Sequence, residues 1–138
     1  DRRALRRGLA DGTLDAGGSD PPPGDGDAKL VPFGGGEPGA TGLELLLPLV
    51  LKWGGEMKIG LPAALAAATS RAAAILGVQA GSLAPGAPAD LCLFDPERPW
   101  RVTREALASQ GRNSPFLGYE LAGRAVATIV GGRVVYPA

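Results

Sequence analysis

Histidine is absent from all 138 residues of this chain. Because imidazole is the commonest general base and a frequent zinc ligand, this absence excludes histidine-dependent catalysis and histidine-liganded metal sites built from the chain's own residues. A single cysteine, Cys92, also excludes an internal disulfide framework. Since Cys92 lies in an apolar run, we expect it to be a small core residue in a reducing compartment.

The sequence also has no excess of charge of either sign and no long apolar run. Fourteen acidic residues balance fourteen basic ones, which gives no electrostatic reason to expect a nucleic acid or a membrane surface as partner. No apolar run approaches the roughly 18 residues of a membrane span. The basic first residues are not followed by the apolar segment of a secretory signal, so we expect a cytoplasmic protein. The chain also lacks an initial methionine, which indicates a processed or trimmed product, or a piece of a longer chain.

Aromatic residues make up only 5% of the chain, whereas it contains 22 glycines and 13 prolines. Glycine and proline together reach roughly a quarter of the residues, a level at which low complexity becomes a concern. The length corresponds to about one domain and falls well short of the ~250 residues of a complete (β/α)8 barrel.

Three segments of the first half are predicted to be helical. Residues 1–11 form a short basic helix, and residues 43–53 form a strongly apolar one in which Pro48 marks either a kink or the first turn. Residues 62–76 form the clearest helix, because their interior is rich in alanine and Gly77 follows as a suitable end.

Residues 81–95 mark a change from helix to sheet. Turn signals in the first ten of these residues precede the apolar run 91–94, which predicts a tight loop and then a strand that is buried on both faces and stops at Asp95. Farther along, residues 124–130 and 133–136 are apolar and β-branched. The two glycines between them predict a β-hairpin.

The pattern G-x-L-x-P-G-x-x-A-D-L-x-L-F-D at residues 81–95 resembles the segment in which amidohydrolase-superfamily enzymes leave their barrel and enter a small β-domain. Further segments resemble the C-terminal part of dihydroorotase, in order and with family-like spacing. They are D-G-T-L-D at residues 11–15, S-D at 19–20, P-G-A-T-G-L-E at 38–44, S-R-A-A-A-I-L-G at 70–77, R-N-S-P-F-L-G at 112–118 and G-R-A-V-A-T-I-V-G-G-R-V-V-Y at 123–136.

This resemblance implies an α/β fold, namely the C-terminal portion of a metal-dependent hydrolase (TIM-type) barrel followed by a small β-rich domain with a C-terminal hairpin. We expect residues 1–78 to be the barrel segment, with its last strand at residues 13–20 and then the closing helices. Residues 79–138 would form the β-rich domain.

The resemblance also implies three site residues. Asp20 matches the aspartate of the family's Ser/Thr-Asp-His motif, which binds metal and shuttles a proton, and Pro38 and Gly39 match a loop whose backbone touches the substrate. Pro21, however, stands where the family has histidine. Active members of the family hold zinc largely through histidines, so we expect this chain to hold no metal or cofactor of its own.

Three functions remain open at this point. The first is a non-catalytic, dihydroorotase-like protein of pyrimidine biosynthesis that acts as a structural partner of aspartate carbamoyltransferase, as an oligomer or within a larger assembly. The second is part of an active dihydroorotase or of a related cyclic amidohydrolase, such as a hydantoinase or allantoinase, whose histidines lie upstream. The third is a degenerate remnant without independent function.

Overall fold

The computed structural model describes residues 1–19, 30–36 and 39–137. Within these ranges, helices precede strands along the chain, and no helix is long and apolar enough to cross a membrane. The α-helices are α1 (Arg2–Asp11), α2 (Leu46–Met57), α3 (Leu61–Ala66) and α4 (Ser70–Leu76), the strands are β1 (Leu91–Arg101), β2 (Glu120–Val130) and β3 (Arg133–Pro137), and short 3-10 helices lie at Phe33–Gly35 and Leu43–Leu45.

The first helix is confirmed where the sequence predicts it. The carboxylate of Asp1 accepts a hydrogen bond from the Arg3 N–H at 3.0 Å, which caps the start of α1. The helix ends at Gly12, whose φ of 86° is the left-handed conformation that glycine adopts without strain. The indole N–H of Trp53 donates to the Arg6 carbonyl at 3.2 Å and so fixes α1 on α2.

Pro48 lies in the first turn of α2, after the 3-10 turn at Leu43–Leu45. A helix does not need the N–H that proline lacks in its first turn, so α2 accommodates Pro48 there. The pyrrolidine ring is fully buried. Of the two alternatives, a kink or a first turn at Pro48, the structure therefore has the first turn.

The prediction of one helix over residues 62–76 is wrong, because two helices, α3 and α4, cover this segment. Thr69 separates them with φ −128° and ψ −92°, far from helical values. Its hydroxyl donates to the Leu65 carbonyl at 2.8 Å, a local bond of the kind by which threonine competes with the helical backbone. The predicted end at Gly77 is confirmed, with φ 66°.

The strands form an antiparallel sheet in the order β1-β2-β3. Leu91 of β1 lies opposite Ile129 of β2, and Val130 of β2 lies opposite Arg133 of β3, across the turn formed by Gly131 and Gly132. α2 packs against β2, the central strand. The described part of the chain is thus an α/β piece.

Two expectations about the strand that begins at residue 91 are wrong. β1 does not stop at Asp95 but continues to Arg101, through a register shift at which the Asp95 carboxylate accepts the N–H of Glu97 at 2.9 Å. Nor is β1 buried on both faces, since it is an edge strand and most of its residues, including Cys92, are exposed. Residues 13–19 have no ladder partner among the described residues and residue 20 lies outside them, so the assignment of residues 13–20 to the last barrel strand stays a prediction.

Two groups of buried side chains form the core of the part that the structure describes, and α2 borders both. Leu49 of α2 packs against the first group and Val50 against the second. The first, which we call the loop–sheet cluster, consists of Leu45, Val102, Leu107 and Leu121. The second, the helical cluster, consists of Trp53, Ala64 and Ala67.

Candidate functional site

Of the three site residues that the resemblance implies, the structure describes one. Asp20 and Pro38 lie outside the described residues. Gly39 is exposed and has φ 103°, a backbone conformation that residues with a Cβ rarely adopt. The described part of the candidate site therefore consists of Gly39 and the residues that come after it.

Two side chains just after Gly39 tie this segment to a distant loop. The Thr41 hydroxyl donates to the Gly111 carbonyl at 2.7 Å, and the Thr41 N–H donates to the Asn113 carbonyl at 2.6 Å. The Glu44 carboxylate accepts the Ser109 N–H at 2.6 Å. We call these five residues the Thr41–Glu44 cluster.

Thr41 is 3% exposed. Because a buried polar group is costly when it has no partner, its two bonds hold residues 41–44 and 109–113 in one arrangement. Gly39 is two residues away from this anchor. The cluster therefore gives the segment that follows Gly39 a fixed support.

The electrostatics of Glu44 follow from its backbone partners. Burial raises the pKa of this carboxyl, but hydrogen bonds from backbone N–H groups, among them that of Ser109, outweigh the effect and hold the pKa below its ordinary value. Glu44 Oε2 is buried and has no hydrogen-bond partner within the described ranges. The charged carboxylate of Glu44 thus stabilises the fold mainly through Oε1, the oxygen that accepts the Ser109 N–H.

Replacing Glu44 with alanine should lower the free energy of unfolding at pH 7 by about 1–2 kcal/mol, because the Ser109 N–H loses its acceptor. Since folding lowers the pKa of Glu44, its charged form adds stability above the ordinary glutamate pKa of about 4.3. That stability is lost as the pH falls through the lower folded-state value. Urea denaturation from pH 7 to pH 3 should show the gap between the two proteins narrowing below about pH 4.

Two variants serve as controls for this measurement. Glu97→Ala removes an exposed carboxylate and should leave the stability nearly unchanged. Glu44→Gln keeps an oxygen that can accept the Ser109 N–H, so it should retain part of the stability without the pH dependence. A gap between Glu44→Ala and the parent that stays constant down to pH 3 would contradict the role assigned to the charged carboxylate.

The residues present do not fit a zinc ion of the kind that active dihydroorotases use. Zinc sites need three or four nitrogen, sulfur or oxygen ligands at fixed geometry. No group of three His, Cys, Asp or Glu side chains lies close enough together in residues 1–19, 30–36 and 39–137. No metal-dependent step can be derived from these residues.

The aspartates of the motif at residues 81–95 have structural partners. Asp90 accepts the Gly131 N–H at 2.7 Å, and the neighbouring Ala89 carbonyl accepts the Gly132 N–H at 3.1 Å. These bonds join the beginning of β1 to the turn between β2 and β3. The most recognisable pattern in the sequence therefore stabilises the sheet.

Sequence reasoning did not identify the Thr41–Glu44 cluster. In the sequence, Thr41 and Glu44 stand out only as letters of the family-like segment at residues 38–44. Their partners Ser109 and Gly111 lie 65 and 70 positions farther along the chain. No local pattern in a single sequence predicts such a pairing.

Comparison with known proteins places this architecture in a family. The sequence profile of the Amidohydrolase family matches residues 3–136. The dihydroorotase of Geobacter sp. (strain M21) is 43% identical over 138 residues, which are 100% of this chain and 32% of the Geobacter protein. A dihydroorotase-like protein of Pseudomonas putida is 43% identical over 136 residues, 99% of this chain and 32% of that protein.

Solved structures agree with the sequence comparison. A D-hydantoinase (dihydropyrimidinase) from Thermus sp. superposes with a TM-score of 0.89 at 26% identity, over 99% of this chain and 31% of the hydantoinase. An L-hydantoinase from Arthrobacter aurescens gives a TM-score of 0.81 at 30% identity, over 96% and 31%. The chain spans about a third of the length of the curated relatives that it matches. It belongs to the amidohydrolase family, and the resemblance of its motifs to dihydroorotase is confirmed.

Proposed function

We propose that this chain is a dihydroorotase-like protein of pyrimidine biosynthesis that does not catalyse and that acts as a structural partner of aspartate carbamoyltransferase. The observation that carries the proposal is the lack of any histidine in 138 residues, together with Pro21 directly after Asp20. A zinc-activated water needs imidazole or carboxylate ligands in a fixed arrangement. A chain without imidazoles contributes to such an enzyme through its shape and contacts.

The relatives support the pyrimidine-related half of this proposal. Dihydroorotases and a dihydroorotase-like protein share 40–44% of their aligned residues with the chain. In this proposal, Asp20 keeps the position of the family's catalytic aspartate, and Pro38 and Gly39 keep the positions of its substrate-contacting loop. The Thr41–Glu44 cluster would preserve the form of that loop for contact with a partner.

Metal analysis and an activity assay test the non-catalytic part of the proposal. We expect the purified chain to bind no stoichiometric zinc and to show no hydrolysis of dihydroorotate after incubation with zinc. The Geobacter dihydroorotase, assayed in parallel, is the positive control. Turnover by the purified chain that rises in proportion to bound zinc would overturn this part.

Co-purification tests the structural part. The tagged chain should retain aspartate carbamoyltransferase from the same organism at a fixed ratio, and the transferase should form a smaller assembly when the chain is missing. A transferase that reaches the same size and activity without the chain would end this part of the proposal, whatever the zinc assay shows.

A second function has an observation of its own in its favour. The chain spans 32% of the Geobacter dihydroorotase, and two hydantoinases contain the same fold within chains about three times as long. Part of an active cyclic amidohydrolase would look the same. The coding sequence upstream decides between the two functions, since a His-x-His pattern in the same reading frame would favour the active enzyme.

A further inference from the structure

The charges of α1 are arranged against the dipole of the helix. Acidic side chains are favourable in the first turn of a helix and basic ones in the last, because free N–H groups point out of its beginning and free carbonyls out of its end. The first turn of α1 holds Arg2 and Arg3 and no acidic residue, and its last turn holds Asp11 and no basic one. The Asp1 carboxylate caps the helix and offsets only part of this mismatch. The charge pattern of α1 therefore lowers its stability.

The four arginines of α1 are also neighbours on its surface. Residues four positions apart in a helix lie on the same face. Arg2 and Arg6 have this spacing. Arg3 and Arg7 have it as well. Like charges at this spacing repel each other and destabilise a helix. We call these four residues the arginine face.

A carboxylate of α2 neutralises part of the arginine face. Glu56 forms an ion pair with Arg6 and a second one with Lys52, so it is shared between two cations. The other three arginines of α1 are exposed. The arginine face thus carries a positive charge that is accessible to a partner.

The packing of α1 does not depend on its arginine side chains. Leu9 packs against the helical cluster, and Gly8 is buried. The arginines add mutual repulsion and an unfavourable interaction with the dipole to this packing. Local arrangements that reduce stability are expected at functional sites, so we looked for a function of the arginine face outside the fold.

An acidic protein surface is the partner that fits this face. Guanidinium groups bind carboxylates through two parallel hydrogen bonds, which give geometric specificity as well as attraction. A nucleic acid fits less well, because the whole chain has a formal net charge of zero and α1 has no aromatic side chain on which a base could stack.

We propose that the arginine face of α1 binds a carboxylate-rich surface of another protein. Arg2, Arg3 and Arg7 pair with aspartate or glutamate side chains of that protein, and the repulsion within α1 is relieved on binding. The inference rests on the proposed function and deepens it, because it names the surface through which the chain would contact the transferase.

Binding of poly-L-glutamate to charge-reversal variants tests the arginine face. We expect the parent to bind this probe at low salt and Arg3→Glu to bind it about tenfold more weakly. Arg98→Glu is the matched control, because it makes the same change of charge at an exposed arginine of β1 and should weaken binding far less. Equal weakening in the two variants would mean that only the overall charge matters, and it would overturn the inference. So would a parent that does not bind the probe.

The unfolding midpoint of Arg3→Glu separates a binding role from a structural one. The variant should unfold at a higher temperature than the parent, because it places an acidic residue in the first turn, four positions before Arg7. A lower midpoint would assign Arg3 to the stability of the fold and overturn the inference. Poly(U) serves as a second probe, and tighter binding of poly(U) than of poly-L-glutamate, lost in Arg3→Glu, would assign the face to a nucleic acid instead.

Co-purification distinguishes this inference from the proposed function. The tagged Arg3→Glu variant should retain less transferase than the parent, and the tagged Arg98→Glu control should retain as much as the parent. Equal retention by the parent and Arg3→Glu would overturn this inference alone. A transferase that the parent does not retain, together with weaker binding of poly-L-glutamate by Arg3→Glu than by Arg98→Glu, would overturn only the proposed partnership.

Discussion

Replacing Gly123 with alanine should lower the free energy of unfolding by about 1–3 kcal/mol. Gly123 lies in β2 with φ 103°, where a residue with a Cβ is strained. A Cβ at this position would also overlap Leu51 Cδ1 of α2 and lie 3.7 Å from the Cα of Pro48. The overlapping atom is the end of a leucine side chain, which can turn away, so backbone strain accounts for the larger part of the cost. Urea denaturation measures the change.

Gly132→Ala separates the two causes. Gly132 has φ 79°, but a Cβ there would meet nothing within 4 Å, so this variant should cost only the roughly 1–2 kcal/mol of left-handed backbone. Leu51→Ala should cost less in the Gly123→Ala background than in the parent, because there it also removes the overlapping methyl group. Equal costs at both glycines, with the same cost of Leu51→Ala in both backgrounds, would show that Leu51 does not limit the position.

Replacing Gly54 and Gly55 with alanine should have effects of opposite sign, although both residues lie in α2. A Cβ at Gly54 would lie 2.7 Å from the Cβ of Ala64 in α3, so Gly54→Ala should cost about 1–3 kcal/mol by forcing the helices apart. A Cβ at Gly55 would meet nothing within 4 Å, so Gly55→Ala should gain about 0.5–1 kcal/mol from the lower backbone entropy of the unfolded chain.

Gly54 and Gly55 are adjacent in α2, so replacing either one with alanine changes the helix propensity by the same amount. The difference between the two variants therefore reports the contact with Ala64. Gly54→Ser is a further test, because its Cβ meets Ala64 as the Cβ of alanine does. It should therefore be destabilising to a similar degree. A stabilising Gly54→Ala would mean that α3 can move away from α2 without loss, and it would argue against the close packing of the two helices.

The parts of the fold that sequence predicts well are those that depend on neighbouring residues. Gly12 and Gly77 end helices in the left-handed conformation that glycine favours. Pro48 is at the beginning of a helix, where its ring is tolerated. Each of these outcomes depends on a few residues that are adjacent in the chain.

The parts that it predicts poorly depend on distant partners or on a single local bond. Alanine-rich composition favours one helix over residues 62–76, but one hydroxyl, that of Thr69, divides it. The apolar letters around Cys92 indicate burial, yet β1 is an edge strand and α2 covers β2 instead. An apolar pattern shows which side chains favour burial, not whether another element is present to cover them.

The candidate site divides in the same way. The family resemblance identifies residues 38–44 as part of the candidate site. The structure adds the hydrogen bonds of Thr41 and Glu44 to residues 109–113, which the sequence does not predict. Those bonds join residues more than 60 positions apart. The functional roles of Asp20, Pro38 and Gly39 stay predictions.

The position of α2 between the two clusters has a consequence for how the protein opens. Leu49 packs in the loop–sheet cluster, Val50 in the helical cluster, and Leu51 lies against Gly123. Three consecutive residues of α2 thus pack against three different parts of the protein. Local fluctuations of either cluster leave α2 held by the other, so its backbone amides should exchange with deuterium only in global unfolding events. Among the described residues, the slowest-exchanging amides should therefore lie in α2.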